Sequence, residues 1–311
     1  MTHRICYNVN VIVSALKDLG VESIVNVSGS TLSSVKCGGV VDLIIKPNST
    51  SKLIDALSLL NAYNVPFIPI GAGTNTLITD QGFRGALVDL SKLNKFTVRG
   101  NQLYVESGLR LPYLAHKCAS CGLKGLEQLS GIPGSVGGAV VKNAGSFGLE
   151  IADLLLSVNY LDLPSLSERV VDRPDLPYSY RSSSNFFKDK IVVGATLNLT
   201  PSKDNLSLEI SRYRAIRLSR QPTEPSLGSV FKRTSSGESA GYYIDKANLK
   251  GTSLGGAMIS TKHANFIVNR GGATATEYLG LVSLCEQTVK EKFNLSITKE
   301  IDIIGEYHLD Q

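Results

Sequence analysis

The chain has 311 residues, 42% hydrophobic and 19% charged, which at roughly 150 residues per domain predicts about two domains and a substantial core. That composition excludes a small disulfide scaffold, a disordered chain and a coiled coil. The net charge of +5 comes from 32 basic and 27 acidic residues without a run of either sign, so it points weakly to small anionic ligands and away from nucleic acid.

No stretch approaches the roughly 18 apolar residues that span a bilayer. Residues 9–19 are broken by Lys17 and Asp18, and Val9, Ile12, Val13, Leu16 and Leu19 recur at helical spacing. A surface helix is predicted there, not a signal peptide, and with it a cytoplasmic protein without a membrane partner. Five cysteines (Cys6, Cys37, Cys118, Cys121, Cys285) at no framework spacing fit reduced thiols.

Residues 40–45 read as an apolar strand, and Leu53, Ile54, Leu57 and Leu60 place a helix over 52–60. Residues 65–70 form a further strand, and this rhythm is of α/β type. Pro66 and Pro69 cannot donate to a ladder, which makes the last strand an edge that feeds the loop Gly71-Ala72-Gly73-Thr74-Asn75. Strands follow over 86–90 and 102–106, then a helix over 112–121 with Pro112 in its first turn and Gly122 as a stop. A second glycine-rich block spans Gly131-Ile132-Pro133-Gly134-Ser135-Val136-Gly137-Gly138 and Asn143-Ala144-Gly145, and a strand covers 191–199. The polar segment 201–205 is the expected boundary. Beyond it lie a helix carrying Arg212, Arg214, Arg217 and Arg220, a block of strands and glycines, and a final helix. That last helix has Leu279, Val282, Cys285, Val289 and Phe293 on one face and a capping box at Thr274 and Glu277.

The loop at 71–75 lets backbone N–H groups face an anion, yet a structural turn explains that segment equally well. It lacks the third glycine of a dinucleotide fingerprint, and no GxxxxGK[ST] loop exists. The 131–145 block strengthens the case, because so many glycines inside a compact domain mean bare backbone facing a large ligand. Cys118 and Cys121 form a CxxC, but with Leu114 they share a helix face and read as core, so no metal site is expected. His263 reads as a backbone tether sooner than as a catalyst, and the arginine cluster as a solvated helix face. Ser229, after Gly228 and before Val230-Phe231-Lys232, is the serine best placed to present a hydroxyl, with Lys232 nearby.

Taken together and in order, these segments resemble the UDP-N-acetylenolpyruvoylglucosamine reductase family. The matches are Gly71-Ala-Gly-Thr-Asn75 with Gly82-Phe-Arg-Gly85, Gly131 to Gly138 with Asn143-Ala-Gly145, and Tyr180-Arg181. The C-terminal third adds Gln221-Pro222, Gly228-Ser-Val-Phe-Lys232, Ala240-Gly241, Lys262-His-Ala-Asn-Phe266 and Lys299-Glu300-Ile-Asp-Ile-Ile-Gly305. Departures are Thr74 for the usual Ser, Lys142 where Met often stands, and Arg233-Thr234 where Asn-Pro is frequent. The direct step from 180 to 181 without a long insertion resembles the shorter subclass, which lacks a tyrosine-bearing substrate loop.

The resemblance implies an α+β protein. An FAD-binding region of two subdomains, 1–85 and 86–204, of the type seen in vanillyl-alcohol-oxidase-like flavoenzymes, would precede a substrate domain at 205–311. It implies that FAD, reduced by NADPH, reduces the enolpyruvyl double bond of UDP-N-acetylglucosamine enolpyruvate. It implies Gly71, Ala72, Gly73, Thr74, Asn75, Ile132, Pro133, Gly134, Ser135, Gly137, Asn143 and Gly145 as cofactor contacts, and Lys232, Lys262 and His263 as substrate contacts. Charge building on the substrate carboxylate would be met by the Arg181 fork, with Glu300 holding the enol form. Ser229 would supply the remaining proton, assisted by Lys232 or water. A monomer or weak oligomer is expected. The rivals are another flavin oxidoreductase of the same fold, which would not need the Ser229 and Glu300 pair, and a non-catalytic flavin or nucleotide-sugar binder.

Overall fold

The computed structural model describes residues 7–183, 185–234 and 237–306. The fold is α+β, and it divides into two compact units, neither contiguous in sequence. The first takes residues up to Val25, Leu43–Ala72 and Gly85–Ile216. The second takes Asn26–Asp42, Gly73–Arg84 and the chain from Arg217.

In the first unit, strands Glu22–Ser28, Val40–Lys46, Phe83–Asp89 and Phe67–Ile70 lie side by side in that order. Phe67–Ile70 is therefore an edge strand, as its two prolines require. It runs parallel to its neighbour, Phe67 opposite Ala86 and Ile70 opposite Asp89. Helices Val9–Asp18 and Thr50–Ala62 supply Ile12, Leu16, Leu53, Leu57 and Leu60 to the core beside this sheet, all fully buried. Asn8 and Ser49 cap these two helices through their side chains, which removes orphan N–H groups at each start.

A larger antiparallel sheet follows, with Ser167–Asp172, Leu155–Asp162, Lys190–Asn198, Gln102–Glu106 and Phe96–Arg99 in spatial order. Helix Leu111–Ser120 packs Leu111, Leu114 and Cys118 into its core. Cys118 is filler, as its spacing predicts, but Cys121 is exposed. The helix has ended by then, and Cys121 is its C-cap with ψ near 6°, so its side chain leaves the apolar face. Among the described residues Cys37, Cys118, Cys121 and Cys285 are free thiols, and Cys6 lies outside them.

The second unit is built around the helix Ala275–Phe293, whose Tyr278, Leu279, Val282, Cys285 and Val289 are buried. Thr274 and Glu277 form the capping box, and Asp80 adds bonds to the Ala275 and Thr276 N–H groups at 2.9 and 2.8 Å. Phe293, expected on the buried face, is 38% exposed at the last turn and rests edge-on against Tyr243. A three-stranded sheet of Ser253–Leu254, Ala257–Ile259 and Ile267–Asn269 shares this core. Thr76–Ile78 runs parallel to Asp302–Ile304, Leu77 opposite Ile303. Among the described residues no helix is long and apolar enough to cross a membrane.

Candidate active site

The strand Phe67–Ile70 delivers Gly71 to the second glycine-rich block. A β-carbon added at Gly71 would lie 2.6 Å from Ser135 Oγ, so a larger residue there must push the serine hydroxyl aside. Ser135 caps the helix Val136–Lys142 by accepting the Gly138 N–H at 3.3 Å. The block is pinned by backbone bonds, Leu111 N–H to the Gly134 carbonyl at 3.0 Å, Val136 N–H to Leu109 at 2.9 Å and Gly137 N–H to Ser107 at 2.8 Å. A β-carbon on Gly137 would stand 2.7 Å from that of Ser107. Ile132 is half-buried against the core, and Pro133 is exposed. Gly71 and Gly138 stay exposed beside Ser135, and bare backbone of this kind suits a diphosphate-bearing cofactor such as FAD.

Gly73 begins the second unit's part of the loop. Its φ of +64° and a β-carbon position 1.8 Å from the Leu32 carbonyl oxygen forbid any other residue. Ala72, Thr74 and Asn75 are half-buried. Asn75 Nδ2 donates to the Glu300 carbonyl at 2.9 Å, and the Asn75 carbonyl accepts the Asp302 N–H at 2.9 Å.

The segments that carry Ser229 and Glu300 are paired through their backbones within the second unit. The Glu300 N–H donates to the Val230 carbonyl at 2.8 Å, Phe231 pairs antiparallel with Lys299, and the Lys232 N–H donates to Thr298 at 2.9 Å. Buried Val230 and Phe231 anchor this segment, and Asn265 clamps it from the other side with three bonds of 2.8 to 3.0 Å. Gly228 has φ +77° and nothing within 4 Å of where a β-carbon would sit, so glycine is needed there for conformation, not space. Ser229 and Lys232 are both half-buried.

His263 behaves as a tether. Its Nδ1 accepts the Asn265 N–H at 3.2 Å, its carbonyl accepts the Phe266 N–H at 3.0 Å, and its ring leans on Phe266. Burial lowers its pKa. Lys262 is exposed and donates to the Leu218 carbonyl at 2.7 Å, near the end of the helix Leu206–Arg220. On that helix Arg212, Arg214 and Arg220 are exposed, the solvated face that was expected.

Arg181 stands in the first unit with φ +51°, a conformation its sequence context did not signal. Its Nη1 donates to the Asn143 carbonyl at 3.2 Å and its Nη2 to the Gly145 carbonyl, and it lies over the Tyr180 ring, 5.5 Å from its centroid. A β-carbon on Gly145 would stand 2.8 Å from the Leu149 carbonyl oxygen and 3.0 Å from that guanidinium. Asn143 is wholly buried and Glu150 is its partner at 2.6 Å. Glu150 escaped the motif reading because nothing local marks it. Among the described residues no group of three or more His, Cys, Asp or Glu is arranged to hold a metal ion.

The chain is similar over most of its length to proteins of one family. Residues 221–304 match the family model described as UDP-N-acetylenolpyruvoylglucosamine reductase, C-terminal domain, and residues 41–165 match the FAD binding domain. A UDP-N-acetylenolpyruvoylglucosamine reductase of Caldanaerobacter subterraneus subsp. tengcongensis is 38% identical over 88% of this chain and 91% of its own length. One from Lactobacillus delbrueckii subsp. bulgaricus is 36% identical over 94% and 98%. The crystal structure of the Thermus caldophilus UDP-N-acetylenolpyruvylglucosamine reductase superposes with a TM-score of 0.77 at 31% identity, covering 92% of this chain and 99% of that one.

Proposed function

The chain belongs to the UDP-N-acetylenolpyruvoylglucosamine reductase family, and from that premise we propose that it reduces the enolpyruvyl group of UDP-N-acetylglucosamine enolpyruvate to UDP-N-acetylmuramate. The reaction serves peptidoglycan precursor synthesis, in the cytoplasm, with the enzyme a monomer or weak oligomer. FAD, when bound, relays hydride from NADPH to the substrate double bond. The observation that supports the reading is the backbone pairing of 230–232 with 298–300, which joins the segments that carry Ser229 and Glu300 in a chain related to these reductases over most of its length.

The backbone of Gly71 and Gly134 would hold the cofactor diphosphate, beside the helix start capped by Ser135. The division into FAD-binding subdomains 1–85 and 86–204 and a substrate domain 205–311 follows the same assignment. Arg181 meets the negative charge that develops on the substrate carboxylate with a planar fork of donors. Glu300 hydrogen-bonds the enol form of that carboxylate. Ser229 delivers a proton to the carbon next to the carboxylate. A hydroxyl is a weak acid, so Lys232 assists by lowering the cost of its transient negative charge. Lys262 and His263 border the substrate.

NADPH oxidation measured with and without the enolpyruvyl nucleotide tests the proposal. Turnover that depends on the nucleotide supports it, and NADPH consumption indifferent to the nucleotide overturns it.

A further inference from the structure

Asn143 ends the helix Val136–Lys142 in the left-handed region, φ 45°, with no exposed surface. Its carboxamide is engaged inside the first unit. Nδ2 donates to Glu150 Oε2 at 2.6 Å and to the Ser179 carbonyl at 3.0 Å, and Oδ1 accepts the Ala152 N–H at 3.3 Å. Its own carbonyl accepts from Arg181 Nη1 at 3.2 Å. Ser179 and Ser182 exchange backbone bonds of 3.0 and 3.1 Å around the turn that holds Arg181. One residue therefore grips Arg181 twice, the guanidinium through the Asn143 carbonyl and the turn through Ser179.

We propose that Asn143 is a positioning residue for Arg181, with Glu150 fixing its carboxamide, and that its side chain makes no contact with the cofactor. This rests on the reading of Arg181 as the group that meets the substrate carboxylate. Both residues hold left-handed backbone, and a left-handed turn carrying an arginine persists only where neighbours impose it. Asparagine suits its own site because it tolerates that region and supplies two donors. Without those donors the turn relaxes, and a displacement of about 1 Å in a charge-stabilising group costs about 10²-fold in rate.

Asn143→Asp keeps size and shape, loses both donors and sets a carboxylate against Glu150. Asn143→Gly tolerates the backbone conformation without any side chain. In whichever of these folds, bound flavin content and its reduction by NADPH stay at the wild-type level. The kcat with the enolpyruvyl nucleotide falls about 10²-fold with KM within about threefold. Adding Arg181→Lys makes the enzyme no worse than Arg181→Lys alone, because Asn143 acts through that arginine. Loss of flavin from both variants, failure of both to fold, or losses that multiply in the double variant would each overturn the proposal. A wild-type enzyme without nucleotide-dependent turnover would instead overturn the reading of function, and the flavin content of the variants would still test whether the Asn143 side chain holds the cofactor.

Discussion

Gly71 lies so close to Ser135 that a β-carbon on the glycine would stand 2.6 Å from the serine hydroxyl oxygen. The contact joins the two glycine-rich segments within the first unit. Gly71→Val is expected to purify without flavin colour while staying folded, because the obstruction is a single hydroxyl and not backbone. Gly137→Val meets a harder obstacle, its β-carbon 2.7 Å from that of buried Ser107 and 3.2 Å from the Ser107 carbonyl oxygen, so its flavin content counts only in protein that folds. Flavin content per chain by absorbance, with circular dichroism as the folding control, checks both. Full occupancy in Gly71→Val would show that the loops do not cradle the diphosphate. Gly73→Val is no test, since its backbone conformation and the nearby Leu32 carbonyl make it a folding lesion.

Arg181→Lys keeps the charge and loses the planar fork that reaches two carbonyls at once. A lysine places one point charge where the guanidinium bridges Asn143 and Gly145. The expected result is a fall in kcat of roughly 10² to 10³ with little change in KM, the pattern of an interaction made in the transition state. Steady-state kinetics decide it. A variant within a factor of about three of wild-type kcat would make Arg181 structural.

Ser229→Ala removes one hydroxyl from a segment held by Val230, Phe231 and Asn265, so flavin binding and flavin reduction by NADPH are expected to survive. The step that consumes the enolpyruvyl substrate should slow by about 10² or more, the usual size of a general-acid contribution. Ser229→Cys, with a more acidic group, should recover part of the rate. Stopped-flow measurement separates the two halves of the cycle, and equal slowing of both would end the proton-donor assignment.

Burial pushes the Cys37, Cys118 and Cys285 thiols up to about 12, so they carry almost no thiolate near neutral pH. Cys121 is exposed. Iodoacetamide applied to the native enzyme, followed by peptide mapping, is expected to label Cys121 and to spare Cys37, Cys118 and Cys285 until the protein is unfolded. Labelling of Cys118 at the rate of Cys121 would revive a redox role for the CxxC pair.

His263 titrates below its ordinary value because burial disfavours the charged ring. The unfolded chain therefore binds the proton more readily. The stability His263 contributes is complete above the unfolded value of about 6.5 and is lost as pH falls below it. In urea melts at pH 7.5 and 5.5, chosen to bracket that value, His263→Gln should lose less stability on acidification than wild type. Equal losses in the two proteins would place the acid sensitivity elsewhere.

What was local could be read from residue order. The prolines of 66–70 announced an edge strand, Thr274 and Glu277 a capping box, and Leu279 through Val289 a buried face, because capping, ladder donation and helical spacing depend only on near neighbours. The same logic failed at helix ends, where Cys121 and Phe293 continued a pattern that the backbone had left or brought to solvent. The motif residues of the site were legible as types, but their partners were not. Thr76–Ile78 beside Asp302–Ile304, Asn75 against Glu300, Gly71 against Ser135 and Asn143 against Arg181 are contacts between segments far apart in the chain. Such pairings are selected when loops close and whole cores bury their surface together, so the energy that chooses them belongs to the assembled unit and not to either segment alone.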